Sequence, residues 1–138
     1  KHNAARQIII AAPSAESCRS FKSEFSEIKT MQWIGGNADK IREQFERSEA
    51  ENFEGLDIVQ LHLNDIAGRA PGRWRYQIGK EFVARAAEAA AAKGVGLETL
   101  PWLFDEKDLM ELLDMGIRRF ATDEPARFVG TIEKWRGQ

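Results

Sequence analysis

His62 and Asn64, followed directly by Asp65, are the residues here best suited to chemistry, because an imidazole, a carboxamide and a carboxylate in close succession can ligate a metal or hydrogen-bond a ligand. They end a stretch, Leu-Asp-Ile-Val-Gln-Leu-His-Leu over 56–63, that alternates in polarity. Val59, Leu61 and Leu63 share one side, and Gln60, His62 and Asn64 share the other. Just beyond, Arg69, Arg73, Arg75 and Lys80 stand among Gly68, Gly72 and Gly79. Guanidinium forks on such a loop suit a phosphate-type anion; a basic loop is equally at home simply solvated. Trp102 and Phe104, read as sharing a side with Leu100, suit either an apolar wall or a core. An inward His62 has its plain reading too, as a side chain held by its neighbours.

Composition narrows the classes. A chain of 138 residues suits a single domain, 1–138, and its net charge of −2 offers no general attraction to nucleic acid or anionic lipid. No apolar run is long enough for a membrane span, and no secretory h-region is visible. Cys18, alone, cannot form an internal disulfide; at helical spacing with Phe21 and Phe25 it reads as a small buried hydrophobe. Phosphate-cradling glycine loops of the nucleotide-binding types, paired cysteines and His-x-x-x-His spacings are missing from the sequence. The sequence opens at Lys1 without methionine, in what reads as a helix end, so a preceding segment is an open expectation and localisation stays open.

The elements that must position these residues alternate. Strands are expected over 7–12, 30–34, 56–63, 96–104 and 117–121, the first as an apolar run buried on both faces. Helices are expected over 14–28, 37–55, a long alanine-rich stretch ending at Lys93, 105–116, and from Pro125 onward. Ser14, Asn37 and Asp105 are the expected N-caps, with Asp123 and Thr122 serving the last helix. Gly55 and Gly116 are expected helix stops. Strands alternating with helices mean an α/β fold with parallel pairing. That leaves a free-standing doubly wound sheet or a run of βα repeats from a TIM (βα)8 barrel, which needs about 250 residues when complete.

Two blocks favour the barrel. Leu-Pro-Trp-Leu-Phe-Asp-Glu-Lys-Asp over 100–108 and Gly-Ile-Arg-Arg-Phe-Ala-Thr-Asp-Glu-Pro over 116–125 resemble, in order and spacing, the end of the glycerophosphodiester phosphodiesterases. In that family a Trp-Thr-Val-Asn strand precedes a Gly-Val-Asp-Gly-Ile-Ile-Thr-Asp-x-Pro strand. Here Pro101 stands at the family's Trp, Trp102 at its Thr and Phe104 at its Asn, while Arg118 and Arg119 stand at its Asp and Gly.

The resemblance implies the C-terminal portion of a phosphodiesterase-type TIM barrel, strands four to eight, with Ser14, Gly35, His62, Asn64, Trp102, Phe104, Thr122 and Asp123 near its mouth. Its implied substrate-binding residues are Arg69, Arg73, His62, Asn64, Trp102, Phe104 and Asp123, facing a small phosphodiester. The family's His-Arg-Gly, Glu-x-Asp, further His and Glu lie on strands that would precede Lys1. By the same resemblance the complete enzyme uses a divalent metal, Ca or Mg, and releases glycerol 3-phosphate and an alcohol. The 138 residues alone are expected to bind no metal, to be inactive, and to pair with the missing portion or with another copy. A non-catalytic α/β binding or self-association module is the rival expectation.

Overall fold

A computed structural model describes residues 4–138; the helix end expected around Lys1 lies outside the described residues. A 3-10 turn, Ala4–Gln7, leads into β1 (Ile9–Ala12), α1 (Ala15–Glu24), β2 (Lys29–Ile34), α2 (Ala38–Ala50), β3 (Ile58–Leu63), α3 (Lys80–Ala92), β4 (Gly96–Pro101), α4 (Glu106–Asp114), β5 (Arg119–Phe120) and α5 (Pro125–Arg136). All neighbouring strands pair in parallel and in chain order, β1-β2-β3-β4-β5.

That order decides where the core lies. Right-handed crossovers between successive parallel strands place their helices on the same face whenever the strand order never reverses. The main core follows suit. Ile34 of β2, Val59, Leu61 and Leu63 of β3 and Leu97 of β4 pack with Cys18 of α1, Ile41 and Phe45 of α2, Phe82, Val83, Ala86 and Ala90 of α3, and Leu112 of α4. A second cluster, Phe104, Leu109, Leu113 and Phe128, seats α5 against α4. Cys18 is 1 % exposed, and burial raises the pKa of its thiol.

Among the described residues no helix covers the opposite face. Ile9 and Trp33 are 46 % and 38 % exposed there. β1 is therefore not buried on both faces as its apolar composition suggests, since one of its faces and one of its edges are open. Ile58 and Gln60 lie on the same open side and belong to neither core cluster, yet both are buried.

Local signals set most element ends. The side chains of Ser14, Asn37 and Asp105 accept N-cap hydrogen bonds, and Asp105 with Asp108 completes a reciprocal capping box. Other boundaries moved. The helix expected over 37–55 ends at Ala50, because Asn52 and Phe53 take left-handed backbone angles (φ 55° and 52°) that turn Phe53 into the core. The helix begun at Ser14 stops at Glu24, and Phe25 is exposed. β4 ends at Pro101 rather than 104, as a residue with no N–H to donate allows. Gly116, at φ 88°, stops α4 in the left-handed region as expected.

Candidate functional site

The site grows from β3. Register places Trp33 of β2 beside Gln60, Gln60 beside Glu98 of β4, and His62 beside Leu100. Paired residues in parallel strands share a face, so Trp33, Gln60, His62, Glu98 and Leu100 all stand on the uncovered side. Gln60 Nε2 donates to Glu98 Oε1 at 2.5 Å, and Gln60 Oε1 lies 3.1 Å from His62 Nε2. The imidazole stacks on Trp33 (5.5 Å between ring centres, 8° between planes) and meets Trp102 edge-on (5.8 Å, 88°). Burial lowers the His62 pKa below its ordinary value, favouring the neutral ring. A Cβ on Gly35 would lie 2.7 Å from His62 Nδ1, so only glycine lets the β2–α2 connection pass this ring undisturbed. Asn64 Nδ2 donates to the Gly36 carbonyl at 2.7 Å, fastening the end of β3 to that connection.

The arginine loop is built differently. Arg75 Nε reaches Asp108 Oδ2 at 2.5 Å, while its other nitrogens reach Asp65 Oδ2 (3.1 Å) and Asp105 Oδ2 (3.3 Å). Arg69 donates to the Arg73 carbonyl (2.6 Å) and to Asp105 Oδ2 (3.2 Å). Burial opposes the charge on Arg75, but Asp108 and Asp65 outweigh it and raise its pKa. Burial likewise acts to raise the Asp105 carboxyl, but the Asp108 N–H, Arg75 and Arg69 hold it below the usual carboxylate value. Arg69 and Arg75 thus fasten the β3–α3 loop to the start of α4 in an ionic lattice. Arg73 makes no ion pair among the described residues. The loop surrounds an open hollow of about 610 Å³ lined by Asp65, Gly68, Arg69, Gly72, Arg75 and Asp105 among others.

The remaining candidates separate. Trp102 is 54 % exposed at the end of β4, whereas Phe104, past the bend, is buried against Phe128 at 4.6 Å between ring centres. Only Trp102 therefore stands with His62. Asp123 is not the cap of α5: Glu124 occupies that position without a side-chain bond, and Thr122 Oγ1 accepts from the Glu124 N–H at 3.0 Å. Ser14 caps α1 on the helix-covered side, away from His62. Lys80 lies 3.9 Å from Glu111. Trp33, Gln60 and Glu98 join the site unforeseen as a group. Alternation in 30–34 and 96–100 was the available signal, but register between strands distant in sequence was not. Among the described residues no three His, Cys, Asp or Glu side chains converge on a metal site. No helix of the described residues is long and apolar enough to cross a membrane.

No protein-family model and no curated protein matches the chain. Among solved structures it is similar to a Galdieria sulphuraria protein provisionally assigned as a glycerophosphodiester phosphodiesterase, with TM-score 0.60 and 13% identity, over 97% of this chain and 46% of that one. It is also similar to 2,3-dimethylmalate lyase, of the PEP mutase/isocitrate lyase superfamily, with TM-score 0.51 and 12% identity, over 87% of this chain and 46% of the lyase. The chain thus spans a little under half the length of either. At such identities the likeness is one of fold. The protein is α/β, a five-stranded parallel sheet of alternating βα units consistent with part of a TIM barrel and short of a complete one.

Proposed function

We propose that this chain is the later part, strands four to eight, of a metal-dependent phosphoric diester hydrolase of the glycerophosphodiester phosphodiesterase type. The observation that carries the reading is a coincidence of motif and position. The block over 116–125 falls on a left-handed helix stop, the last strand and a proline-started helix, in a fold similar over 97% of the chain to the Galdieria protein.

In this reading His62 and Trp102 meet the alcohol portion of a small phosphodiester, and Arg73 offers its fork to the phosphate oxygens. Arg69 and Asn64 hold the loops that frame the mouth, Phe104 supports that end from the second core cluster, and exposed Asp123, at the β5–α5 turn, is proposed to face the substrate. In the same reading the divalent ion, Ca or Mg, and the acid and base groups come from strands outside these 138 residues.

The test is hydrolysis of glycerophosphocholine, read as release of glycerol 3-phosphate with Mg or Ca supplied. The chain joined to its native upstream sequence turns over and the 138-residue chain alone does not. An inactive joined protein, or a short chain that hydrolyses the diester unaided, overturns the proposal. One observation favours a second reading, a non-catalytic self-association module: the sheet face bearing Ile9 and Trp33 has no layer over it among the described residues.

A further inference from the structure

The chain of side chains ending at His62 determines more than its position. A carboxylate only accepts hydrogen bonds, so with Glu98 taking a bond at 2.5 Å the Gln60 amide must turn its nitrogen toward Glu98. Its oxygen is then the atom 3.1 Å from His62 Nε2. An amide oxygen only accepts, so Nε2 must carry the proton. In the neutral imidazole that leaves the lone pair on Nδ1.

Nδ1 has no hydrogen-bond partner among the described residues and is not one of their fully buried unpartnered atoms, so it keeps some access to solvent. It lies close against Gly35, where a Cβ would come within 2.7 Å, so the imidazole has taken the room a side chain there would need. Trp33 covers one face of the ring by stacking on it, and Trp102, perpendicular to the ring and half exposed, stands beside it with apolar surface open to solvent.

We propose that His62 Nδ1 is the fixed acceptor of a binding slot for an alcohol hydroxyl, bordered by Gly35, Trp33 and Trp102. The slot selects donors: a phosphate or carboxylate oxygen meets a lone pair there and is rejected, while a polyol can donate to Nδ1 and lay its C–H face on a tryptophan. Glu98 and Gln60 are positioning residues, acting on the ligand only through the tautomer of His62. That the hydroxyl belongs to the glycerol or leaving alcohol of a phosphodiester rests on the hydrolase reading; the acceptor geometry does not.

Nitrogen-15 spectra of the labelled chain, with the His62 ring assigned by loss of its signals in His62→Gln, read the tautomer directly, and glycerol is the probe. At pH 7.5 the native chain carries its proton on Nε2, and Gln60→Leu turns that single state into a mixture with protonated Nδ1. A merely structural role for Gln60 would not move this readout. Glycerol shifts the native Nδ1 signal saturably, and Trp102→Ala weakens that binding about tenfold, the scale of one lost contact of this kind. Trp102 is exposed, so this variant leaves the core intact and serves where Gly35→Ala, whose Cβ would run into the imidazole, displaces the ring. A native ring protonated on Nδ1, no saturable glycerol shift, or undiminished binding in Trp102→Ala overturns the proposal. These outcomes are independent of the phosphodiester assay: an inactive joined protein with an intact glycerol response defeats the hydrolase reading alone.

Discussion

At the scale of single residues, His62 carries the clearest pH signature. Burial lowers its folded pKa, while the unfolded chain takes up the proton near the ordinary value of about 6.5. Its contribution to stability is therefore complete above about pH 6.5 and is lost as pH falls through the lower folded value. Urea midpoints recorded from pH 7.5 down to 5 are expected to decline in the native chain and to decline less in His62→Gln; parallel curves would contradict the assignment. Asp57 works at a more acidic range. Burial acts to raise its carboxyl, but the Lys22 ammonium (2.6 Å) and the Thr30 N–H (2.8 Å) outweigh that and lower it. Its stabilisation is present above the unfolded value of about 4 and disappears below it.

At the scale of elements, the β3–α3 loop and α4 share one ionic lattice. Asp108, 5 % exposed at its side chain, accepts from Arg75 Nε and from the Asp105 N–H, closing the capping box at the same time. Asp108→Ala removes a cap and leaves Arg75 partly buried without its nearest carboxylate. The expected loss is on the order of 3 kcal/mol, measured by chemical denaturation. Asp108→Asn, which can still cap, is expected to lose less. Two buried threonines give a sharper contrast. Thr30 Oγ1 donates to the Gly55 carbonyl at 2.5 Å, whereas Thr99 Oγ1 is buried with no partner among the described residues. Thr30→Val is expected to cost about 1 to 3 kcal/mol, and Thr99→Val to be neutral or stabilising. Equal losses at the two positions would refute this account of the two hydroxyls.

At the scale of the whole molecule, the strand order is the governing fact. Helices collect on one face, and the other keeps Ile9, Trp33 and the half-exposed Trp102, while one edge of β1 is unpaired among the described residues. Open edges and apolar faces invite pairing. Sedimentation equilibrium is expected to show concentration-dependent association of the chain, weakened about tenfold or more by Ile9→Lys, which puts a charge on the open face of the edge strand. A native chain that stays monomeric at every concentration would show that the exposed side is tolerated as it is.

Much of this was legible in the residues alone. The side-to-side alternation of Val59, Leu61 and Leu63 against Gln60 and His62, the caps at Ser14, Asn37 and Asp105, and the stop at Gly116 are local consequences of backbone geometry, and each stands as read. Pairings between distant strands were not legible. Trp33, Gln60 and Glu98 come together through a register that no single strand encodes, and Arg69 and Arg75 meet Asp105 and Asp108 across a whole intervening helix. Phe104 and Trp102 look alike in an extended stretch, yet the end of β4 at Pro101 turns one into the core and leaves the other at the mouth. Chain-local chemistry determined the elements and their faces. Tertiary packing alone decided which side chains meet, because partners are chosen by strand register and by the competition of carboxylates for the same guanidinium.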